Sequence, residues 1–185
     1  MSLIIGLIAP KLAGKDTVAE YLAQKYDFVS FAAGHMLKDI LLLIGQEVSR
    51  ENETKLAVSL RQAFGEEVLN SAILARFKNN QTPRGLINGI RKPQEFAEAK
   101  HNGVRTVFIS ATDENRYARY QIRGEKKDDG LLNFADFLKQ DLESPTEKDI
   151  QNIGTQAEFI LENNGGLEEL HANIDVLMTK LLKEQ

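Results

Sequence analysis

Ala9-Pro10-Lys11-Leu12-Ala13-Gly14-Lys15-Asp16-Thr17 decides how this chain is read. The apolar run Leu3-Ile4-Ile5-Gly6-Leu7-Ile8 precedes it, and the amphipathic run Thr17-Val18-Ala19-Glu20-Tyr21-Leu22 follows. Strand, glycine-bearing loop, Gly-Lys, then helix is the context a phosphate-binding loop requires. Open backbone N–H groups at a helix start, together with the positive end of the helix dipole, favour bound phosphate. Lys15 would reach the outer phosphates. The competing reading of the same residues is a plain strand-turn-helix.

Two departures from the Gly-x4-Gly-Lys-Ser/Thr pattern carry information. Ala9 stands where the first glycine would be, which is a mild change if its φ stays negative. Asp16 takes the hydroxyl position that normally touches magnesium, and Thr17 comes one residue late. A carboxylate beside a polyphosphate repels it unless a cation lies between them.

With 185 residues the chain is read as one domain, long enough to bury a proper core. Its hydrophobic content of 42% and charged content of 27% are ordinary for a globular protein. The net charge of −4 leaves no basic footprint, which argues against a nucleic-acid-binding module. Without cysteine there is no disulfide framework, zinc-thiolate site or thiol nucleophile. The histidines at positions 35, 101 and 171 show no ligand spacing. No apolar run approaches the roughly 20 residues that span a bilayer, and the N-terminus reads as a core strand rather than a signal peptide. A cytoplasmic protein is expected.

Apolar and amphipathic segments alternate, which predicts a parallel sheet with crossover helices. Strands are expected at Leu3–Ile8, Phe28–Phe31, Gly85–Asn88, Arg105–Ala111 and Ala157–Leu161. Helices are expected at Asp16–Tyr26, Gly34–Gly45, Glu53–Phe64, Glu66–Asn79, Lys92–Lys100, Asp113–Arg123, Leu131–Leu142 and Leu167–Leu182. Leu170, Ile174, Leu177, Met178 and Leu181 make the buried stripe of the last helix. The architecture expected is a three-layer α/β/α sandwich around a five-stranded parallel sheet. Ligands in such sheets bind at the carboxyl ends of the strands. The apolar Leu37–Ile44 helix can be core or a dimer face, so both monomer and homodimer remain open.

Asn88-Gly89-Ile90-Arg91 follows the third strand, where many phosphate-loop proteins place a carboxylate that helps hold magnesium. With Asp16 in the loop, the carboxylate has in effect moved from strand to loop. Either this keeps the local charge count, or the two changes weaken magnesium binding and leave a nucleotide-binding protein without transfer. Arg91 can bind phosphate through its fork, or cap a surface helix. Arg116, Arg119 and Arg123 recur on one helix face and lead into the polar run Gly124-Glu125-Lys126-Lys127-Asp128-Asp129-Gly130. A mobile lid over about 119–142 would lend charge and exclude water. Lys38 and Arg61 sit between the second and third strands, in a candidate acceptor-binding insertion over about 34–82. Asn163-Asn164-Gly165-Gly166 is a turn by composition, and its backbone could hold the edge of a purine.

Together these pieces resemble the nucleoside monophosphate kinase group of P-loop NTPases, and within it dephospho-coenzyme A kinases and their uncharacterised archaeal-type relatives. The residues that carry the resemblance are Ala13–Leu22, Asn88–Arg91, Arg116–Arg123, Phe134–Leu138 and Ala157–Gly165. The Gly-Lys-Asp variant also resembles phage-type deoxynucleoside monophosphate kinases. The resemblance implies ATP as donor, Mg2+ as bridging ion and a phosphate-bearing small-molecule acceptor. It implies that Ala13, Gly14, Lys15, Asp16 and Thr17 hold the phosphates, with Asp16 and Thr17 at the metal. It further implies that Arg119 and Arg123 are lid residues acting with Lys15 and Arg91, and that Asn163 lies near the adenine. No residue stands out as a general base.

Overall fold

The computed structural model describes residues 2–123, 131–143 and 147–184. Five parallel strands form one sheet: β1 (Leu3–Ile8), β2 (Val29–Phe31), β3 (Arg84–Asn88), β4 (Arg105–Ser110) and β5 (Phe159–Glu162), in the order β2-β3-β1-β4-β5. Central strand β1 pairs with β3 through Leu7 opposite Asn88, and with β4 through Ile8 opposite Phe108. The sheet's carboxyl edge therefore brings Ile8, Asn88, Ser110 and Glu162 to one side.

Both faces of β1 are covered, which is why its sequence is continuously apolar rather than alternating. Ile5 and Leu7 face α1 (Lys15–Tyr26) and the long carboxy-terminal helix, packing with Val18, Leu22, Ile174, Met178 and Leu181. Ile8 turns the other way, into a second core with Ile73, Phe77, Phe96 and Phe108. Helices on both sides of a parallel sheet make the expected three layers. A third, small cluster of Leu37, Ala57 and Leu69 joins α2 (Ala33–Leu43), α3 (Arg50–Phe64) and α4 (Val68–Asn79). These three helices lie between β2 and β3 in the chain. In α2, Leu37 and Leu41 are buried while Leu42, Leu43 and Ile44 are exposed, so that helix has both a core face and a bare apolar end.

Several boundaries differ from the sequence reading. The third helix starts at Arg50 because Ser49 caps it, its hydroxyl accepting from Asn52 N at 3.2 Å. After α5 (Pro93–His101) and α6 (Asp113–Arg123) comes α7, which runs Phe134–Glu143 with Asn133 accepting from Asp136 N at 2.9 Å. A short helix, α8 (Ile150–Gly154), is absent from the sequence reading, since five residues are too few to show a helical period. Tertiary burial holds it: Ile150 and Ile153 are 1% exposed, and a Cβ on Gly154 would meet the Phe108 ring at 2.5 Å. Residues 124–130, the centre of the expected lid, lie outside the described residues.

Outer helices α1 and α9 (Leu167–Lys183) are tied by one carboxylate. Asp175 accepts from Tyr21 Oη at 3.0 Å, Tyr26 Oη at 2.8 Å and Lys25 Nζ at 2.7 Å. The Lys25 hydrogen bond, with those from the tyrosines, holds the Asp175 carboxyl below its usual pKa against the desolvation that opposes it. A carboxyl with a depressed folded pKa contributes stability above its unfolded pKa and loses it as pH falls through the folded one. Asp175→Asn is thus expected to lower Tm by about 2–4 °C at pH 7, corresponding to roughly 1 kcal/mol for a solvent-screened site. The difference from wild type should shrink as pH falls through the lowered folded pKa of Asp175. Thermal melts across pH check this; a deficit that stays undiminished on acidification would refute it.

Candidate active site

The loop leaves the carboxyl end of β1 and enters α1 through Gly14. Gly14 has φ 96°, a left-handed conformation, and offers no side-chain cap, so the first N–H groups of α1 stay open toward the sheet edge. A Cβ at Gly14 would lie 2.2 Å from Asn163 Nδ2, so space as well as conformation demands glycine. Ala9 is not among the residues with positive φ, as the mild reading of that substitution required. Leu12 is: its φ of 64° costs an L-residue about 1–2 kcal/mol, which the surroundings must offset.

Lys15, on the first residue of α1, reaches across the sheet edge. Its Nζ donates to Asn88 Oδ1 at 2.5 Å and to Asp16 Oδ1 at 2.7 Å. Asn88 Nδ2 donates back to Asp16 Oδ1 at 3.0 Å, closing a triangle of three side chains. The pairing of Asp16 with Asn88, inferred from the sequence as a relocated carboxylate, is thus a direct contact. Burial lowers the Lys15 pKa, and Asp16 opposes that effect. Desolvation works against ionisation of Asp16. The Lys15 ammonium and the hydrogen bonds from Lys15 and Asn88 outweigh it and keep the carboxyl below its ordinary pKa, with Arg123 adding to the effect. Arg123, at the end of α6, is therefore within electrostatic reach of the loop.

Arg91 lies beside the same triangle. Its backbone N–H donates to Glu95 Oε2 at 3.0 Å, and its guanidinium pairs with Glu147 at 2.5 Å. Glu95 is 5% exposed; it also accepts from Lys92 N at 3.2 Å and from Arg61 at 3.0 Å. One buried carboxylate thus links the Arg91 turn to α3. Sequence reading missed Glu147. It precedes α8, and its charge is felt at Lys15. Only its distance in space from Arg91 and Lys15 reveals it, and no spacing along the chain could.

The other expected residues lie around the loop. Ala13 is fully buried; its N–H donates to Pro10 O at 3.2 Å and its carbonyl accepts from Asn163 Nδ2 at 2.8 Å. Arg119 donates to Leu12 O at 3.1 Å and to Asn163 O at 2.8 Å. Burial lowers its pKa. Arg116, read with Arg119 and Arg123 as a row on one helix face, is 2% exposed, held by Asp113 at 2.8 Å and by Lys11 O at 3.2 Å. The row runs from core to solvent because α6 packs its first turns on the loop. Thr17 follows Asp16 in the first turn of α1 and is half-buried.

Nucleotide and metal fit what is present. The carbonyls of Lys11, Leu12 and Ala13 are engaged by Arg116, Arg119 and Asn163, and each trans peptide sets the following N–H opposite its carbonyl, that of Ala13 going to Pro10 O. One carboxylate and one hydroxyl, completed by phosphate oxygens and water, is a donor set suited to Mg2+. Among the described residues no group of three or more His, Cys, Asp or Glu could hold a metal ion. Among the described residues no helix is long and apolar enough to cross a membrane.

These features give the chain a P-loop, kinase-like α/β fold. A dephospho-CoA kinase from Campylobacter jejuni superposes on it with a TM-score of 0.60 at 15% identity, covering 100% of this chain and 99% of that one. A shikimate kinase from Bacteroides thetaiotaomicron gives 0.58 at 18% identity, covering 97% and 98%. At such identities the likeness is one of fold. In sequence, the chain has archaeal UPF0200 relatives: a UPF0200 protein of Methanocaldococcus jannaschii is 26% identical over 183 residues, 97% of this chain and 91% of that protein. No protein-family model matches the chain.

Proposed function

We propose that this chain is an ATP-dependent phosphotransferase acting on a small, phosphate-bearing, nucleotide-like acceptor. The observation that carries the reading is Lys15: an ammonium at the head of α1, beside the carboxyl end of the central strand, in contact with both Asp16 and Asn88. The fold likeness to kinases whose acceptors are small molecules supports it. Bound Mg-ATP would supply the phosphoryl group and the cation that neutralises it. Gly14 and the first amides of α1 would cradle the phosphates, with Lys15 over the outer ones. Asp16 and Thr17 would hold the metal. Arg91 and Arg123 would offset charge on the phosphates, while the α2–α4 region, with Lys38 and Arg61, would receive the acceptor. The turn after β5, beginning at Asn163, would hold the edge of the adenine. Phosphoryl transfer asks mainly for positioning and electrostatics, so no strong base is required. Such a protein would work in the cytoplasm, where ATP and magnesium are supplied.

The test is ADP release from Mg-ATP with dephospho-CoA, with each ribo- and deoxynucleoside monophosphate, and with no acceptor. Stimulation by one compound is the expected result and names the acceptor. A second reading, a nucleotide-binding protein without transfer, draws on Asn88 standing where the relatives named by resemblance carry a carboxylate. ATP binding without stimulation by any acceptor would favour it.

A further inference from the structure

Three consecutive carbonyls of the phosphate loop are each held from outside the loop. Lys11 O accepts from Arg116 at 3.2 Å, Leu12 O from Arg119 at 3.1 Å, and Ala13 O from Asn163 at 2.8 Å. The donors come from two elements more than 100 residues downstream: α6 and the turn that follows β5. Arg119 also donates to the carbonyl of Asn163 at 2.8 Å, so the two elements are joined to each other as well as to the loop. Arg116 is 2% exposed and Asn163 6%. These are therefore built contacts, not solvent-facing side chains resting on a surface.

The peptide plane is rigid and trans, so fixing a carbonyl fixes the N–H of the next residue on the opposite side. Holding the oxygens of Lys11, Leu12 and Ala13 thus sets the direction of the N–H groups of Leu12, Ala13 and Gly14. Ala13 N–H is consumed by Pro10 O. The N–H groups of Leu12 and Gly14 are left pointing away from the clasp. The loop's own residues do not secure this arrangement. Ala9 replaces a glycine, and Leu12 sits at φ 64°, a conformation leucine does not hold unaided.

We infer that Arg116, Arg119 and Asn163 form a clasp that holds the phosphate loop in its nucleotide-binding conformation. Arg119 is on this account a positioning residue: it acts through the loop backbone and not on the transferring phosphoryl group. The inference rests on the phosphate-loop reading of residues 9–17, and not on which acceptor is used.

The test measures dissociation constants for a fluorescent ATP analogue, for ADP and for adenosine, with the Tm of each variant. Arg119→Lys keeps the charge but loses the fork that spans two carbonyls. Asn163→Asp keeps the size but loses the amide donor. Each is expected to weaken ATP and ADP binding by about tenfold, one charge-assisted or buried hydrogen bond, while adenosine binding changes little. Where turnover is measurable, KM for ATP should rise more than kcat falls. Asp175→Asn serves as a stability control, since it should lower Tm without altering nucleotide affinity. Arg119→Lys and Asn163→Asp proteins that bind ATP as wild type would overturn the clasp. So would an Arg119→Lys protein with unchanged ATP affinity and a collapsed kcat, because Arg119 would then act on the phosphoryl group. Failure of the wild-type chain to bind ATP at all would instead remove the phosphate-loop reading itself, and with it the clasp's purpose.

Discussion

Lys15→Ala is expected to lower acceptor-stimulated ADP release by on the order of 10²–10³-fold, the loss seen when one preorganised donor to developing charge is removed. Lys15 is the cation that the start of α1 brings into contact with both Asp16 and Asn88. The expected effect on stability has a different sign. Burial lowers the Lys15 pKa, so the folded chain gives up that proton more readily than the unfolded chain. The charged ammonium therefore costs stability at neutral pH. That cost fades as pH rises through the folded pKa toward the unfolded value near 10.4. Removing the side chain should leave Tm at pH 7 unchanged or slightly higher while transfer is lost. A melting curve and a turnover assay on the same sample check both halves. Substantial residual transfer would show that Lys15 is not the phosphate cation, and a large drop in Tm would show that its main part is structural.

Asp16→Ala should reverse the metal dependence of ATP binding. In wild type the carboxylate repels polyphosphate until a cation lies between them, and it also engages Lys15 at 2.7 Å. With Mg2+ present, the variant should bind ATP more weakly and turn over about 10²-fold more slowly, having lost its carboxylate ligand. With EDTA, it should bind ATP more tightly than wild type, because the repulsion is gone and Lys15 is released. Titration of a fluorescent ATP analogue with and without magnesium reads this crossing directly. A double exchange, Asp16→Ser with Asn88→Asp, returns the carboxylate to the strand and should recover part of the magnesium-dependent turnover. Full magnesium-dependent turnover in Asp16→Ala would end the idea that this carboxylate carries the metal.

Legibility in the sequence followed how local each feature is. The order of strand, loop and helix over residues 3–26 could be read because each element announces itself within a few residues, by an apolar run, by glycine, or by a helical period. The stripe on α9 was readable for the same reason. The helix α8 was not, because its five residues are held by Phe108 and the sheet rather than by any pattern of their own. In the candidate site, Lys15, Asp16, Asn88 and Arg91 were found from their places after β1 and β3. The surroundings of the α6 arginines were not legible, since the spacing of Arg116, Arg119 and Arg123 states that they share a face but not what that face touches. Glu147 had no signal at all, being 56 residues from the arginine it pairs with.

By itself, the sequence determined that this is an α/β protein with a phosphate loop at the end of its first strand, lacking thiol chemistry and a basic footprint. Those properties follow from composition and from periodicities that neighbouring residues impose on one another. Only the tertiary structure decided that the triangle of Lys15, Asp16 and Asn88 closes, that Glu147 meets Arg91, and that α6 and the turn after β5 hold the loop. Each of these is a contact between segments whose separation in sequence says nothing of their distance in space. They exist because burying both faces of β1 brings α1, α6 and the β5 turn to the same edge of the sheet.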